Sequence, residues 1–245
     1  MQWRVFGCHS PFPAPGGATP GYLLEAEGYR ILIDCGSGVL AKLAEVCPPY
    51  RLDAVILSHL HHDHIADFFV LQYAIQTAMR LGWRQAPLPV YAPVQPEKWG
   101  NLLAYHDAIQ LHPIREGEGY PLGGWEVTFF RTDHGIPCFA ARLEGLGRTI
   151  LYGADSGPRT DWSLMAQEPD LFICEGTFLQ RDLPDEPVGH LSVQQAAEAA
   201  ASIRAKGLLL THLFPEYDRN EIEEEVKGSY SGRWWLAETG LTLSL

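Results

Sequence analysis

The segment Ser58-His59-Leu60-His61-His62-Asp63-His64 directly follows the apolar run Ala54-Val-Ile-Leu57. A buried strand that ends in H-x-H-x-D-H presents several metal-binding groups within a few residues. In an extended stretch, residues i and i+2 point to the same side, so His59 and His61 can grip one ion together. If the chain then turns into a helix, Asp63 and His64 swing to the far side of that ion. They cannot easily join the same small tetrahedral shell, and a second ion a few ångströms away is the natural reading. Imidazole and carboxylate ligands suit Zn, Mn, Fe or Ni, and the lack of Cys in the cluster argues against a purely structural zinc site. Without an ion, so many polar groups at one strand end would lack partners.

Two borderline ions need more ligands, and three later apolar runs end in them. They are Phe130-Arg-Thr-Asp-His134-Gly135, Leu151-Tyr-Gly-Ala-Asp155-Ser-Gly157 and Leu210-Thr-His212-Leu213. Taken alone, a His at a strand end is more often a turn residue, and an Asp before Ser-Gly is more often an Asx-turn. Four such endings in order, which together supply five His and two Asp, are hard to assign to packing. Glu175 ends a fourth later run, Leu171-Phe-Ile-Cys-Glu, and His190 stands just before a helix start. Asp34, at the end of Ile31-Leu-Ile33, either accepts from a ligand imidazole or caps its own Gly-rich turn, and both readings stay open. His9, His106 and His112 belong to no partner pattern, and His62 alternates away from the ligands.

The elements that carry these groups are short apolar runs rich in branched and aromatic residues. The runs starting at Arg30, Ala54, Leu88, Trp125, Thr149, Leu171 and Gly207 read as strands, most of them buried on both faces. Helical patterns lie between them at 39–47, 67–81, 193–206 and about 220–227. The second has Phe68, Leu71, Ile75 and Ala78 at steps of three and four, and the third opens on the capping box Ser192-Val-Gln-Gln195. A closing strand pair is expected near 234–245, and the Pro/Gly-rich segments 11–21 and 113–124 read as surface loops. Strands interleaved with helices place the chain in the α/β class.

The chain has 245 residues, 46% of them hydrophobic, which suits one domain over 1–245 with a real core. Its net charge is 18 − 30 = −12, which argues against nucleic-acid binding through a basic face. No run reaches the roughly 20 apolar residues that span a bilayer, and the N-terminal stretch does not read as a signal peptide. Five scattered Cys without a CxxC pair point to core thiols in a reducing cytoplasm rather than to disulfides or nucleophiles.

The ordered series H-x-H-x-D-H, His, Gly-x-Asp and Thr-His resembles the metallo-β-lactamase superfamily, from Val5-Phe6-Gly7 to the end of the chain. The resemblance implies a four-layer αββα sandwich with a dinuclear site. It implies that His59, His61 and His134 hold one ion, that Asp63, His64 and His212 hold the other, and that Asp155 bridges both. Zn is the expected metal, with Mn, Fe or Ni as alternatives. Flanking residues separate the branches. Glyoxalase II-like thioesterases usually follow the first cluster with two Gly, where this chain has Ile65-Ala66-Asp67. The lactamases put Cys where Asp155 stands. The chain is most similar to the ribonuclease Z-like phosphodiesterases, in Gly7-Cys8-His9-Ser10-Pro11, Ile33-Asp34-Cys35-Gly36, Cys174-Glu175-Gly176-Thr177-Phe178 and Gly189-His190-Leu191-Ser192.

Three departures bear on the substrate. Only 155 − 134 = 21 positions separate two of the ligands, which leaves room for one hairpin and not for a tRNA-clamping arm. Phe214-Pro215-Glu216-Tyr217 puts a carboxylate where that branch carries Arg. The acidic balance offers few cations for tRNA phosphates. The expected activity is therefore hydrolysis of a small or cyclic nucleotide, or of an RNA 3′ end, rather than tRNA maturation. In this reading Asp63 orients and deprotonates the attacking water. His190 donates to the phosphate or the leaving oxygen, and Glu175 holds its tautomer. A thioesterase or lactonase, an iron redox protein and a non-catalytic metal holder are the competing readings. The aromatic residues Phe68, Phe69, Tyr73 and Trp83 read as core, or as a contact between two copies beside the site.

Overall fold

Fourteen strands form two seven-stranded mixed sheets. The computed structural model describes residues 1–245, and each sheet belongs to its own compact unit: Met1–Ile114 with Glu238–Leu245, and Arg115–Ala237. In the first unit β1 (Gln2–Gly7), β2 (Gly21–Ala26), β3 (Tyr29–Ile33), β4 (Ala54–Ile56), β5 (Leu88–Ala92) and β6 (Ile109–Pro113) lie side by side in chain order. The first three run antiparallel to their neighbours, and β3 to β6 are parallel. In the second unit β7 (Gly119–Leu122), β8 (Trp125–Arg131), β9 (Phe139–Gly145) and β10 (Arg148–Tyr152) form an antiparallel meander. It continues in parallel through β11 (Leu171–Glu175), β12 (Gly207–Thr211) and β13 (Arg233–Leu236). The last strand, β14 (Thr242–Ser244), pairs with β1.

This topology settles where the polar strand ends go. Parallel neighbours share one carboxyl edge, where open α/β sheets collect their functional groups. Asp34 follows β3 and His59 follows β4 at that edge of the first sheet. In the second, β8 and β10 are both antiparallel to β9 and so run the same way. His134, Asp155, Glu175 and His212 therefore all emerge at one edge.

The helices follow the apolar periods. They are α1 (Val39–Ala44), α2 (His62–Ile65), α3 (Phe68–Arg80), α4 (Glu97–Gly100), α5 (Val193–Ser202) and α6 (Arg219–Ser229). The α3 face that carries Phe68, Leu71, Ile75 and Ala78 is buried, and buried Gln72 donates to the carbonyls of Leu102 and Leu103. The α5 capping box is complete, with Ser192 and Gln195 satisfying each other's backbone N–H. Its Ala196, Ala197 and Ala200 sink into a core with Phe172, Leu208 and Leu210, where each fully buried Leu or Phe contributes roughly 1.5–3 kcal/mol.

Several boundaries differ from expectation. α1 stops at Ala44, ahead of Pro48-Pro49. α5 stops at Ser202 because Arg204 turns the chain with a φ of 52°, before Gly207 is reached. The expected closing strand pair is not a pair. β13 extends the second sheet beside β12, while β14 joins the first beside β1. The segment 113–124 holds the strand β7 rather than loop alone. Strand β8 alternates buried and open residues, whereas β4, β11 and β12 are buried on both faces as expected. No helix is long and apolar enough to cross a membrane.

Candidate metal centre

In the first unit the H-x-H-x-D-H segment does what its spacing predicts. His59 and His61 precede a single helical turn, α2, that carries Asp63 and His64. The facing nitrogens His59 Nε2 and His61 Nδ1 are 3.1 Å apart. Asp63 Oδ2 lies 3.8 Å from His64 Nε2. Gly36 makes the turn possible, since a Cβ there would sit 1.9 Å from the Asp63 carbonyl oxygen. The Thr19 hydroxyl donates to that same carbonyl, and the Ser10 hydroxyl donates to Asp63 Oδ2 at 2.9 Å.

Behind this cluster lies Asp34, wholly buried, with a left-handed φ of 57°. Its carboxylate accepts from the Ser58 N–H at 2.8 Å, the Ser58 hydroxyl at 2.9 Å and His64 Nδ1 at 2.7 Å. The Ser58 hydroxyl has one proton, which goes to Asp34. It must then accept from His59 Nδ1, 3.0 Å away. Both imidazoles are thereby fixed with the proton on Nδ1 and a lone pair on Nε2. Of the two readings open for Asp34, the imidazole contact is the one present.

The second unit builds the same arrangement from different elements. The Asp155 carboxylate splits its oxygens: Oδ2 lies 3.8 Å from His134 Nε2 and Oδ1 lies 3.2 Å from His212 Nε2. The backbone turns sharply here, with Ala154 at a φ of 52° and His212 at 58°, conformations that cluster at functional sites. The Thr132 hydroxyl and the Cys138 thiol both donate to the Asp155 carbonyl, at 2.7 and 3.3 Å. His134 Nδ1 donates to the carbonyl of Gly189 at 2.8 Å. Gly189 has a φ of 80°, and a Cβ on it would press against that ring.

Glu175 is the counterpart of Asp34. It is 1% exposed and accepts from the Ser156 N–H at 2.8 Å, His190 Nδ1 at 2.9 Å and the Thr177 hydroxyl at 2.5 Å. Since the Thr177 proton goes to Glu175, its oxygen accepts from His212 Nδ1 at 2.8 Å. His190 stacks on His212 with ring centres 5.4 Å apart. Asp155, His190 and His212 each place one ligand atom within 4.8 Å of the others.

Next to His134, Asp133 accepts a forked pair of bonds from Arg159, the shorter 2.7 Å, which holds its carboxyl below the usual range. All five thiols are buried. Burial, with Glu238 adding to it, pushes Cys8 up to about 12, and burial raises Cys35 and Cys174 as well. They fit core thiols and not nucleophiles. His62 is exposed and stands edge-on to Trp99, away from the ligand nitrogens. The groups that sequence reasoning passed over are Ser10, Ser58 and Thr177. Ser58 adjoins His59, Thr177 lies two positions from Glu175 and Ser10 adjoins no candidate ligand, and nothing in the type or spacing of these hydroxyls separates them from turn residues.

The donor set is imidazole nitrogen and carboxylate oxygen without sulfur. Four of the five imidazoles have Nδ1 engaged by oxygen and Nε2 turned toward another ligand group. That is a His/Asp cluster able to bind divalent metal.

Residues 29–213 match the family described as "Beta-lactamase superfamily domain". The chain is 35% identical over 241 residues to "Probable metallo-hydrolase YhfI" of Bacillus subtilis (strain 168), covering 98% of each. It is 27% identical over 257 residues to a "Ribonuclease Z" of Mycobacterium bovis (strain BCG / Pasteur 1173P2), covering 91% of this chain and 90% of that protein. The crystal structure of the "metallo-beta-lactamase fold protein YhfI" superposes with a TM-score of 0.92 at 34% identity, over 99% of this chain and 98% of that one. The chain belongs to the beta-lactamase superfamily, is related to ribonuclease Z within its metallo-hydrolases, and has the metallo-β-lactamase fold.

Proposed function

We propose that the chain is a dinuclear phosphodiesterase that acts on a small or cyclic nucleotide or an RNA 3′ end. His59, His61 and His134 would hold one divalent ion, and Asp63, His64 and His212 the other. Asp155 would lie between them, with Zn ahead of Mn, Fe or Ni. The observation that carries the reading is the Glu175–His190 pair next to Asp155. Metal ligation alone would need Asp63, Asp155 and the five imidazoles. It would not need a further histidine whose Nδ1 is anchored on a buried carboxylate.

When bound, the ions would lower the pKa of water and offset charge on phosphate oxygens. The chain's own groups do the rest. Asp63, steadied by Ser10, is placed to orient the attacking water and take its proton. His190, held with its proton on Nδ1 by Glu175, keeps Nε2 free of that bond, and its protonated form would donate from Nε2 to the phosphate or the leaving oxygen. The net charge of −12 and Glu216 beyond His212 favour a small or short substrate over tRNA.

The test compares bis(p-nitrophenyl) phosphate with a thioester and a lactone on one preparation of assigned metal content. Phosphodiester turnover should dominate, and His61→Ala and Asp155→Ala should each lose metal and turnover. Faster thioester or lactone cleavage would replace this reading with that of an acyl hydrolase.

A further inference from the structure

We propose that a cleft at the C-terminal end of α3 binds a small phosphate-bearing anion of mononucleotide size. The cleft holds about 460 Å³ and is lined by Gln76 and Arg80 of α3 together with Arg84, Gln85, His106 and Asp107. That volume lies within the range of small-molecule pockets. The site lies wholly in the first unit and does not depend on the hydrolase reading.

The charge of two arginines in this lining is not neutralised by an acidic side chain. Arg30, Arg142, Arg148, Arg159, Arg181 and Arg204 each sit on a carboxylate. Arg4, Arg51, Arg131 and Arg233 lie outside such pairs. Arg80 and Arg84 have no ion pair, although Asp107 shares their cleft. Arg84 instead donates to four backbone carbonyls: Ala86 at 2.7 Å, Tyr50 at 2.8 Å, Leu52 at 2.7 Å and Pro87 at 3.2 Å. Carbonyl oxygens satisfy N–H groups and fix the guanidinium without cancelling its charge. Half-burial accordingly pulls Arg84 below its ordinary value, offset in part by Asp53. The end of α3 contributes a partial negative charge of only about half a unit, less than either arginine.

Two further features belong to the cleft and its rim. His106 adopts a left-handed φ of 47°, a conformation that costs a non-glycine residue energy. Aromatic surface also flanks the cationic wall. Tyr105 lies 4.7 Å from the His106 ring and 5.1 Å from Tyr73, and Trp83, next to Arg84 in the chain, is 62% exposed. The fixed charge of Arg84, the free guanidinium of Arg80 and the amide side chains of Gln76 and Gln85 suit a phosphate, and the aromatic rings outside the lining offer a face to an attached planar base.

The experiment titrates metal-loaded protein with inorganic phosphate and, separately, with AMP at constant ionic strength. Nitrogen–proton spectra of the Arg84 Nε–H and the His106 ring report binding. Both signals should move saturably, and Arg80→Gln should weaken the site about tenfold or more, the loss of one charge-assisted bond. Phosphodiester turnover should stay unchanged. His106→Gly, which relieves the backbone, should fold normally and also weaken the site. Tighter binding of AMP would show that the aromatic face contributes, and equal binding would show a site for phosphate alone; both results uphold it. Identical isotherms in the parent and Arg80→Gln proteins would overturn it. So would an equal response to chloride, or phosphate shifts confined to His134 and His212.

Discussion

Ser58 and Thr177 occupy the same chemical position in the two units. Each hydroxyl donates to a buried carboxylate, Asp34 or Glu175, and accepts from the Nδ1 of a histidine, His59 or His212. Each carboxylate also takes a second imidazole directly, His64 or His190. The hydroxyl decides which nitrogen of its histidine carries the proton, so it controls the availability of Nε2 rather than touching a ligand site itself. Ser58→Ala and Thr177→Val should lower metal affinity about 10- to 100-fold, measured by competition with a chelator. Thr177→Ser should restore it. Unchanged affinity in both hydroxyl deletions would show that the tautomers are fixed by something else.

The Glu175–His190 pair should separate catalysis from metal binding. His190→Ala should retain both ions and lose about 10²- to 10⁴-fold in phosphodiester turnover, the usual range for a positioned acid or base. Glu175→Gln keeps the shape and removes the charge that favours the Nδ1–H form of His190. It should fall between the parent and His190→Ala in rate. Wild-type turnover in His190→Ala with full metal content would remove His190 from the mechanism.

What could be read from the sequence followed the range of the forces involved. The H-x-H-x-D-H turn is local, since extended backbone and then one helical turn fix His59, His61, Asp63 and His64 within six residues. The α3 face and the Ser192 cap are local too, and both stand as expected. The partners of Asp34 are not local, because it meets Ser58 and His64 across 24 and 30 residues through strand pairing. The β13 and β14 placements failed for the same reason: two short strands close in sequence are drawn to different sheets by β12 and β1. The strand β7 was hidden because Gly119 and Pro121 mask a four-residue run.

The α5 cap gives a stability prediction that leaves chemistry untouched. Ser192 accepts from the Gln195 N–H at 3.1 Å and donates to Gln180 at 2.6 Å. Ser192→Ala removes both bonds at a wholly buried position, and should cost about 1–2 kcal/mol, seen as a lower denaturant midpoint with an unchanged slope. Ser192→Thr should recover part of the loss. No shift in midpoint would mean that Gln195 and water cap the helix unaided.

Asp170 offers a test of pH dependence away from the metal ligands. Burial raises its carboxyl, but the Thr149 N–H at 2.9 Å, Lys206 at 3.0 Å and Arg148 at 3.1 Å outweigh that and hold it below the usual carboxylate value. A carboxyl whose folded pKa is depressed adds stability above its unfolded value, about 3.9, and loses that contribution as pH falls through the folded value. Asp170→Asn keeps an oxygen for Thr149 and removes the charge. It should therefore cost about 1 kcal/mol at neutral pH, since both cations are largely exposed and screened. The gap between parent and variant should close as pH drops below about 4. Thermal unfolding of both proteins across that range measures it. A gap that is constant with pH would show that the charge of Asp170 adds nothing, and that the loss comes only from altered packing beside β11.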